Sequence, residues 1–251
     1  GQLGDGTAVH STVTVSGVSN ASSVKVGENT ACVLLQDNTV KCWGSSSYVG
    51  IDTSSHQFSP VTVDNLTSVV QLDKGLYHSC ARLSGGSIKC WGANWHGALG
   101  DGTSTSRKTP VAVSGISNAL YLGTGQNHSC SVLTDGTVKC WGYNYYGQLG
   151  DGTTTNRSSP VSVSGITGAT QVEGGSYFSC ALLSNGTVKC WGTKGAYGFL
   201  GDGNLGIKTS PVTVSGLSSV SVGEAYNHTC VVAGGAVKCW GDNSYGELGD
   251  G

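Results

Sequence analysis

Ten cysteines are the residues of this chain best suited to do chemistry, and they fall into five pairs: Cys32 and Cys42, Cys80 and Cys90, Cys130 and Cys140, Cys180 and Cys190, Cys230 and Cys239. A structural zinc site uses a short Cys-x2-4-Cys knuckle, which the nine-residue gaps of the first four pairs do not provide. Each pair instead brackets turn residues between two β-branched runs. Facing residues of a hairpin have a constant index sum, so Cys130 and Cys140 centre on Asp135. Cys230 and Cys239 centre between Gly234 and Gly235. The last pair has lost one turn residue, giving a two-residue Gly-Gly turn that keeps the cysteines opposite one another. That compensation predicts five cross-strand disulfides, each closing a short loop and stabilising its hairpin by roughly 2–3 kcal/mol. Reduced thiols packed as small apolar side chains are the competing reading. Five even pairs point to an oxidising, extracellular setting.

The other reactive side chains recur rather than converge. His78, His128 and His228 share one phase with Thr30 and Phe178, so no single histidine stands out as a base. Asp5, Asp101, Asp151, Asp202 and Asp250 recur in Leu-Gly-Asp-Gly, where a carboxylate bonding the next backbone amides explains them. One Asp per copy does not build a calcium loop. Lys41, Lys89, Lys139, Lys189 and Lys238 precede the second cysteine of each pair and suit a polar strand edge. No nucleophile elbow, phosphate loop or cofactor motif is present. A non-enzymatic chain without cofactor or metal is expected.

What must position these residues is a repeat. Cys-Trp-Gly places tryptophan at 43, 91, 141, 191 and 240, a period near 50 that belongs to propellers, solenoids or arrays. Copy three reads as four short strands, Thr109–Gly115, Ala119–Gly125, His128–Thr134 and Thr137–Gly142, taken together as one blade. Glycine (41 residues) interrupts every helical window, and charged residues make up only 11%. The chain is therefore read as all-β: a propeller-like array of about five four-stranded blades in one domain, 1–251. Its units run approximately 1–47, 48–96, 97–146, 147–197 and 198–245, with 246–251 starting a further unit. The net charge of −2 argues against nucleic acid as partner, and no apolar run is long enough to span a membrane.

The stretch His-Ser-Cys-x-Leu-x-Asp-Gly-x-Val-Lys-Cys-Trp-Gly-x-Asn-x-x-Gly-Gln-Leu-Gly-Asp-Gly-Thr resembles the repeat of the regulator of chromosome condensation family, in its cysteine-containing secreted form. The likeness covers nearly the whole chain. It implies a β-propeller, usually seven-bladed in that family, that works by binding proteins. Copy one departs from the pattern, with Ser45–Pro60 in place of the Leu-Gly-Asp-Gly turn.

Two further sets of residues bear on function. Asn20, Asn65, Asn127, Asn156, Asn185 and Asn227 are candidate N-glycosylation acceptors, with Asn-Gly turn formation as the alternative at Asn185. Trp95, Tyr143, Tyr145 and Tyr146 vary between copies in the loop after Cys-Trp-Gly, as a binding face on a constant frame would. The expectation is an extracellular scaffold, secreted or at the cell surface, for protein binding or adhesion. The alternative is a structural subunit or segment of an extracellular fibre of continuing repeats, with a propeller enzyme a distant third. The near-identical ends, Gly-Gln-Leu-Gly-Asp-Gly and Gly-Glu-Leu-Gly-Asp-Gly, read as cut edges of a repeat that could associate head to tail with further copies.

Overall fold

The computed structural model describes residues 13–193, 198–217, 220–222 and 227–251. The opening Gly-Gln-Leu-Gly-Asp-Gly and Asp5 lie outside them. Among the described residues, four four-stranded antiparallel sheets and one three-stranded sheet succeed one another along the chain, each a meander in sequence order. The first holds β1 (Ala21–Val26), β2 (Thr30–Leu35), β3 (Val40–Gly44) and β4 (Gln57–Thr62). The second holds β5 (Val69–Lys74), β6 (His78–Leu83), β7 (Ile88–Gly92) and β8 (Arg107–Ala112). The third comprises β9 (Ala119–Thr124), β10 (His128–Leu133), β11 (Val138–Gly142) and β12 (Arg157–Ser162). The fourth comprises β13 (Ala169–Gly174), β14 (Phe178–Leu183), β15 (Val188–Gly192) and β16 (Lys208–Thr213). The fifth pairs β17 (Val220–Val222), β18 (His228–Ala233) and β19 (Ala236–Gly241). This is a β-propeller array.

The grouping of copy three into one blade needs correction, because the run at Thr109 belongs to the sheet before it: β8 pairs with β7, Cys90 facing Val111. The reason lies in the long loop after Cys-Trp-Gly. Asn94 is fully buried; its Nδ2 donates to Asp101 Oδ1 and to the carbonyls of Thr103 and Thr105, while its Oδ1 accepts from the Leu99 amide. One side chain thus winds the loop back on itself, and the chain returns as an outer strand of the same sheet. Asn144 repeats the arrangement with Asp151, Thr153, Thr155 and Leu149. Pro60, Pro110, Pro160 and Pro211 all fall on these outer strands, where a missing N–H leaves no gap in the ladder.

Every hairpin predicted from index sums forms in register. Cys32 faces Cys42, Cys80 faces Cys90, Cys130 faces Cys140, Cys180 faces Cys190 and Cys230 faces Cys239, all five as disulfides with Cα atoms 4.0–4.2 Å apart. The turn between Ala233 and Ala236 is the two-residue Gly-Gly turn, with φ of 59° at Gly234 and 84° at Gly235, the double positive φ that a primed turn requires.

The apolar cores lie between sheets rather than within them. Leu34, Val40, Val63 and Val69 pack with Leu72, Ala81 and Trp91, joining sheets one and two, and the pattern recurs at each later junction. Each tryptophan is the tie. Trp91, Trp141, Trp191 and Trp240 donate their indole N–H to the carbonyls of Tyr48, Ala98, Gln148 and Phe199 in the long loop of the preceding sheet, at 3.2, 2.9, 2.8 and 3.0 Å. A second bond tightens two junctions: His78 Nε2 meets Ser129 Oγ and His128 Nε2 meets Ser179 Oγ, both at 2.8 Å. The recurring His and Ser are therefore interblade fasteners. Burial holds the His128 ring down to about 4, and burial together with Lys74 and His128 holds His78 down to about 3, so both stay neutral.

Candidate binding face

The first strands of the sheets stand innermost, and the turns that follow them form a collar at one end of the array. The Glu28 amide donates to the Leu76 carbonyl, the Leu76 amide to Gln126 and the Gln126 amide to Gly175, so successive blades are stitched through backbone alone. Glycine is required here by space: a Cβ on Gly75 or Gly125 would run into the carbonyl of the next collar residue, Gly125 or Gly175, and into the following histidine ring. The collar encloses a cavity of about 210 Å³ lined by the ends of β1, β5, β9 and β13.

Side chains cross this mouth from blade to blade. Lys25 Nζ pairs with Asp73 Oδ1 at 3.1 Å, and Asp73 Oδ2 accepts from the Thr124 amide and hydroxyl at 2.7 and 3.0 Å. Tyr121 donates its hydroxyl to Glu173 Oε1 at 2.6 Å. Burial, reinforced by the charge of Asp73, pushes the Glu173 carboxyl up to about 7 against the opposing effects of Tyr121 and Lys25. Lys74 is also buried. Its Nζ reaches Ser79 Oγ at 3.1 Å, the hydroxyl that a histidine of the preceding blade would meet were Thr30 not in that place. Burial lowers its pKa to about 7.

Around the same end runs an arc of rings. Tyr48, Tyr77 and Trp95 follow one another at centroid distances of 6.0 and 5.5 Å. His96, Tyr143, Tyr145, Tyr146 and Tyr177 form a second group, with His96–Tyr143 at 4.6 Å, Tyr145–Tyr146 at 5.1 Å and Tyr146–Tyr177 at 5.0 Å. The four aromatics expected from sequence, Trp95, Tyr143, Tyr145 and Tyr146, thus lie on one face. Trp95 and Tyr145 are 58% and 62% exposed, and their neighbours hold them in place. Sequence reading missed Tyr48, Tyr77, Tyr177 and His96, as well as Lys25, Asp73, Tyr121 and Glu173. A signal existed for two of them: Tyr77 and Tyr177 share the phase just before the histidine position.

The remaining candidates have placements of their own. Asn20, Asn65, Asn156 and Asn185 are exposed, while Asn127 and Asn227 are half-buried. In the last two the sequon's third residue, Ser129 or Thr229, is buried between blades. Asn185 Oδ1 accepts from the Thr187 amide, as an Asn-Gly turn requires. Lys41, Lys89 and Lys238 donate to the carbonyls of Gly17, Asn65 and Gly216, capping the turns that lead into the inner strands. Asp101 and Asp151 are partly buried, which opposes ionisation. Hydrogen bonds from Thr103 and Arg107, and from Thr153, Arg157 and Asn144, outweigh that and hold both carboxyls below the ordinary range.

Fold and face together define a propeller scaffold that presents side chains from its loops. The repeat is that of the regulator of chromosome condensation family: models described as the RCC1 repeat match residues 86–132 and 135–182, and residues 21–48 and 169–198, together more than half of the chain. The chain belongs to that family. It is similar to yeast RCC1 (Prp20) solved with Kap60, at 20% identity and a TM-score of 0.81, covering 92% of this chain and 58% of that one. Human WBSCR16 is similar at 24% identity and a TM-score of 0.79, covering 90% and 63%. Prp20p from Saccharomyces cerevisiae, described with its binding to Gsp1p and histones, gives 23% identity and a TM-score of 0.73, covering 87% and 56%. The chain thus spans about three fifths of the length of these relatives, and the likeness establishes the fold. No curated protein matches the chain.

Proposed function

We propose that this chain is a non-enzymatic propeller scaffold that binds a protein partner through the collar end, outside the cell. The observation that carries the reading is the aromatic arc. Trp95 and Tyr145 are large, exposed and held by neighbouring rings, so little conformational entropy remains to be lost on contact, the property that makes Trp and Tyr binding anchors. Five disulfides support an oxidising compartment. The exposed Asn20, Asn65, Asn156 and Asn185 are the sequons open to glycan in a source that glycosylates.

The test compares captured partners of three proteins on an immobilised intact chain: wild type, Trp95→Ala with Tyr145→Ala, and Ser84→Lys, whose exposed turn lies at the opposite end. A partner held by wild type and Ser84→Lys but lost by the aromatic variant is expected. Retention by the aromatic variant with loss by Ser84→Lys contradicts the reading.

A further inference from the structure

Asp73 and Glu173 both line the collar cavity, yet their partners differ. Asp73 is fully engaged, by Lys25 on one oxygen and by the Thr124 amide and hydroxyl on the other. Among the described residues Glu173 has a single hydrogen-bond partner, the neutral Tyr121 hydroxyl on Oε1. Charge near it is mixed among the described residues: Lys25 from β1, Asp73 and Lys74 from β5, Tyr121 from β9. Lys25 is committed to Asp73 and Lys74 points its Nζ to Ser79. The wall beyond Glu173 continues through Gly174 and Gly175, which have no side chain to fill the space. The opposite wall carries Val24 and Val26, apolar and exposed at 59% and 72%.

We propose that this cavity receives a guanidinium group on an aliphatic stem, with Glu173 as its carboxylate. A planar guanidinium offers parallel N–H donors that a carboxylate accepts in pairs. The stem covers the valine wall, and the tyrosines Tyr77 and Tyr177 of the aromatic arc at the same end are of the kind on which a guanidinium stacks. Burial of Glu173 and the charge of Asp73 favour its protonated form, which Tyr121 and Lys25 only partly oppose, and an arriving cation removes that disfavour by replacing the proton. The inference rests on the reading of the collar end as a binding face and names what the partner inserts there: an arginine side chain, as distinct from a free small guanidine.

The test uses the intact oxidised chain with carboxyl-labelled glutamate, so that Glu173 is followed directly. Two probes separate the sources: agmatine for a free guanidine, and an arginine held in a disulfide-closed hairpin peptide for a partner's loop. Saturation with the hairpin is expected to lower the Glu173 midpoint from about 7, by roughly one unit or more. Agmatine should bind at least about tenfold more weakly, lacking the contacts that a peptide makes with the aromatic arc. Glu173→Gln keeps the shape of the side chain and removes the charge; it should fold normally by circular dichroism and lose at least about tenfold in hairpin affinity. An unmoved Glu173 midpoint with both probes, or undiminished hairpin binding by folded Glu173→Gln, overturns the proposal. Agmatine binding as tightly as the hairpin overturns the assignment to a partner's side chain. Either result leaves the Trp95 and Tyr145 test of the face standing by itself.

Discussion

Trp141 donates its indole N–H to the main-chain carbonyl of Ala98, 43 residues earlier, at 2.9 Å. Ser129 Oγ reaches the same carbonyl at 3.1 Å. Two blades are therefore joined at one atom, and the loop that supplies it is kept in place by Asn94.

This junction makes its own prediction. Trp141→Phe removes the N–H but leaves the Ala98 carbonyl a partner in Ser129, so a loss of about 1 kcal/mol is expected. Trp141→Ala empties a fully buried site and should cost about 3–5 kcal/mol. Gly150→Ala attacks the equivalent contact from the other side. Its Cβ would lie 2.8 Å from two atoms of Trp191, at a φ of +67°, and roughly 1–3 kcal/mol should be lost. Denaturant midpoints measure all three; equal losses for Trp141→Phe and Trp141→Ala would contradict the tie.

The disulfides give a second prediction. Replacing Cys130 and Cys140 together by alanine opens a loop of about eleven residues and should lower stability by roughly 2–3 kcal/mol. Peptide mapping without reduction should return Cys32–Cys42 and its four counterparts. Free thiols, or Cys42 joined to Cys80, would contradict the register.

Stability should depend on pH through four buried groups. His78 and His128 sit at about 3 and about 4 against an ordinary 6.5, so the unfolded chain binds more protons below 6.5 and stability rises with pH from about 4 to 6.5. Glu173 works in the opposite sense: held at about 7 against 4.5, it keeps its proton longer when folded and subtracts stability as pH rises from 4.5 to 7. Lys74, lowered to about 7 from 10.5, makes the unfolded chain bind more protons again, so stability climbs a second time between 7 and 10.5. Thermal midpoints across this range test the shape, and Lys74→Met should flatten the second rise. A second rise that survives in Lys74→Met would place its cause elsewhere.

The fold was legible in the sequence because its determinants are local and repeated. Index sums located the hairpins, the Cys-Trp-Gly period located the copies, and the one shortened turn at Gly234 and Gly235 forms as the arithmetic requires. The sheet boundaries were not legible. Whether the run after Leu-Gly-Asp-Gly pairs forward or back is decided by Asn94 and Asn144, and a buried asparagine gathering three backbone groups and a carboxylate looks in sequence like any loop asparagine. The face was half legible: Trp95 and the tyrosines from 143 to 146 stood out because they vary. Tyr77 and Tyr177 come from a different turn in the next blade, and only the stacking of blades brings them alongside. Lys25, Asp73 and Glu173 occupy one phase of the inner strands, where period-two patterning predicts little because the channel is neither core nor open surface.

The central claim is that the collar end is the face that meets a partner. Photo-crosslinking from benzoylphenylalanine placed at Tyr145, compared with the same probe at Ser84 on the opposite end, tests it most directly in the setting where the chain acts. The account predicts a discrete covalent adduct from position 145, lost when Trp95→Ala is added, and none from position 84. An adduct from position 84 alone, or one from 145 that is indifferent to Trp95→Ala, would contradict it.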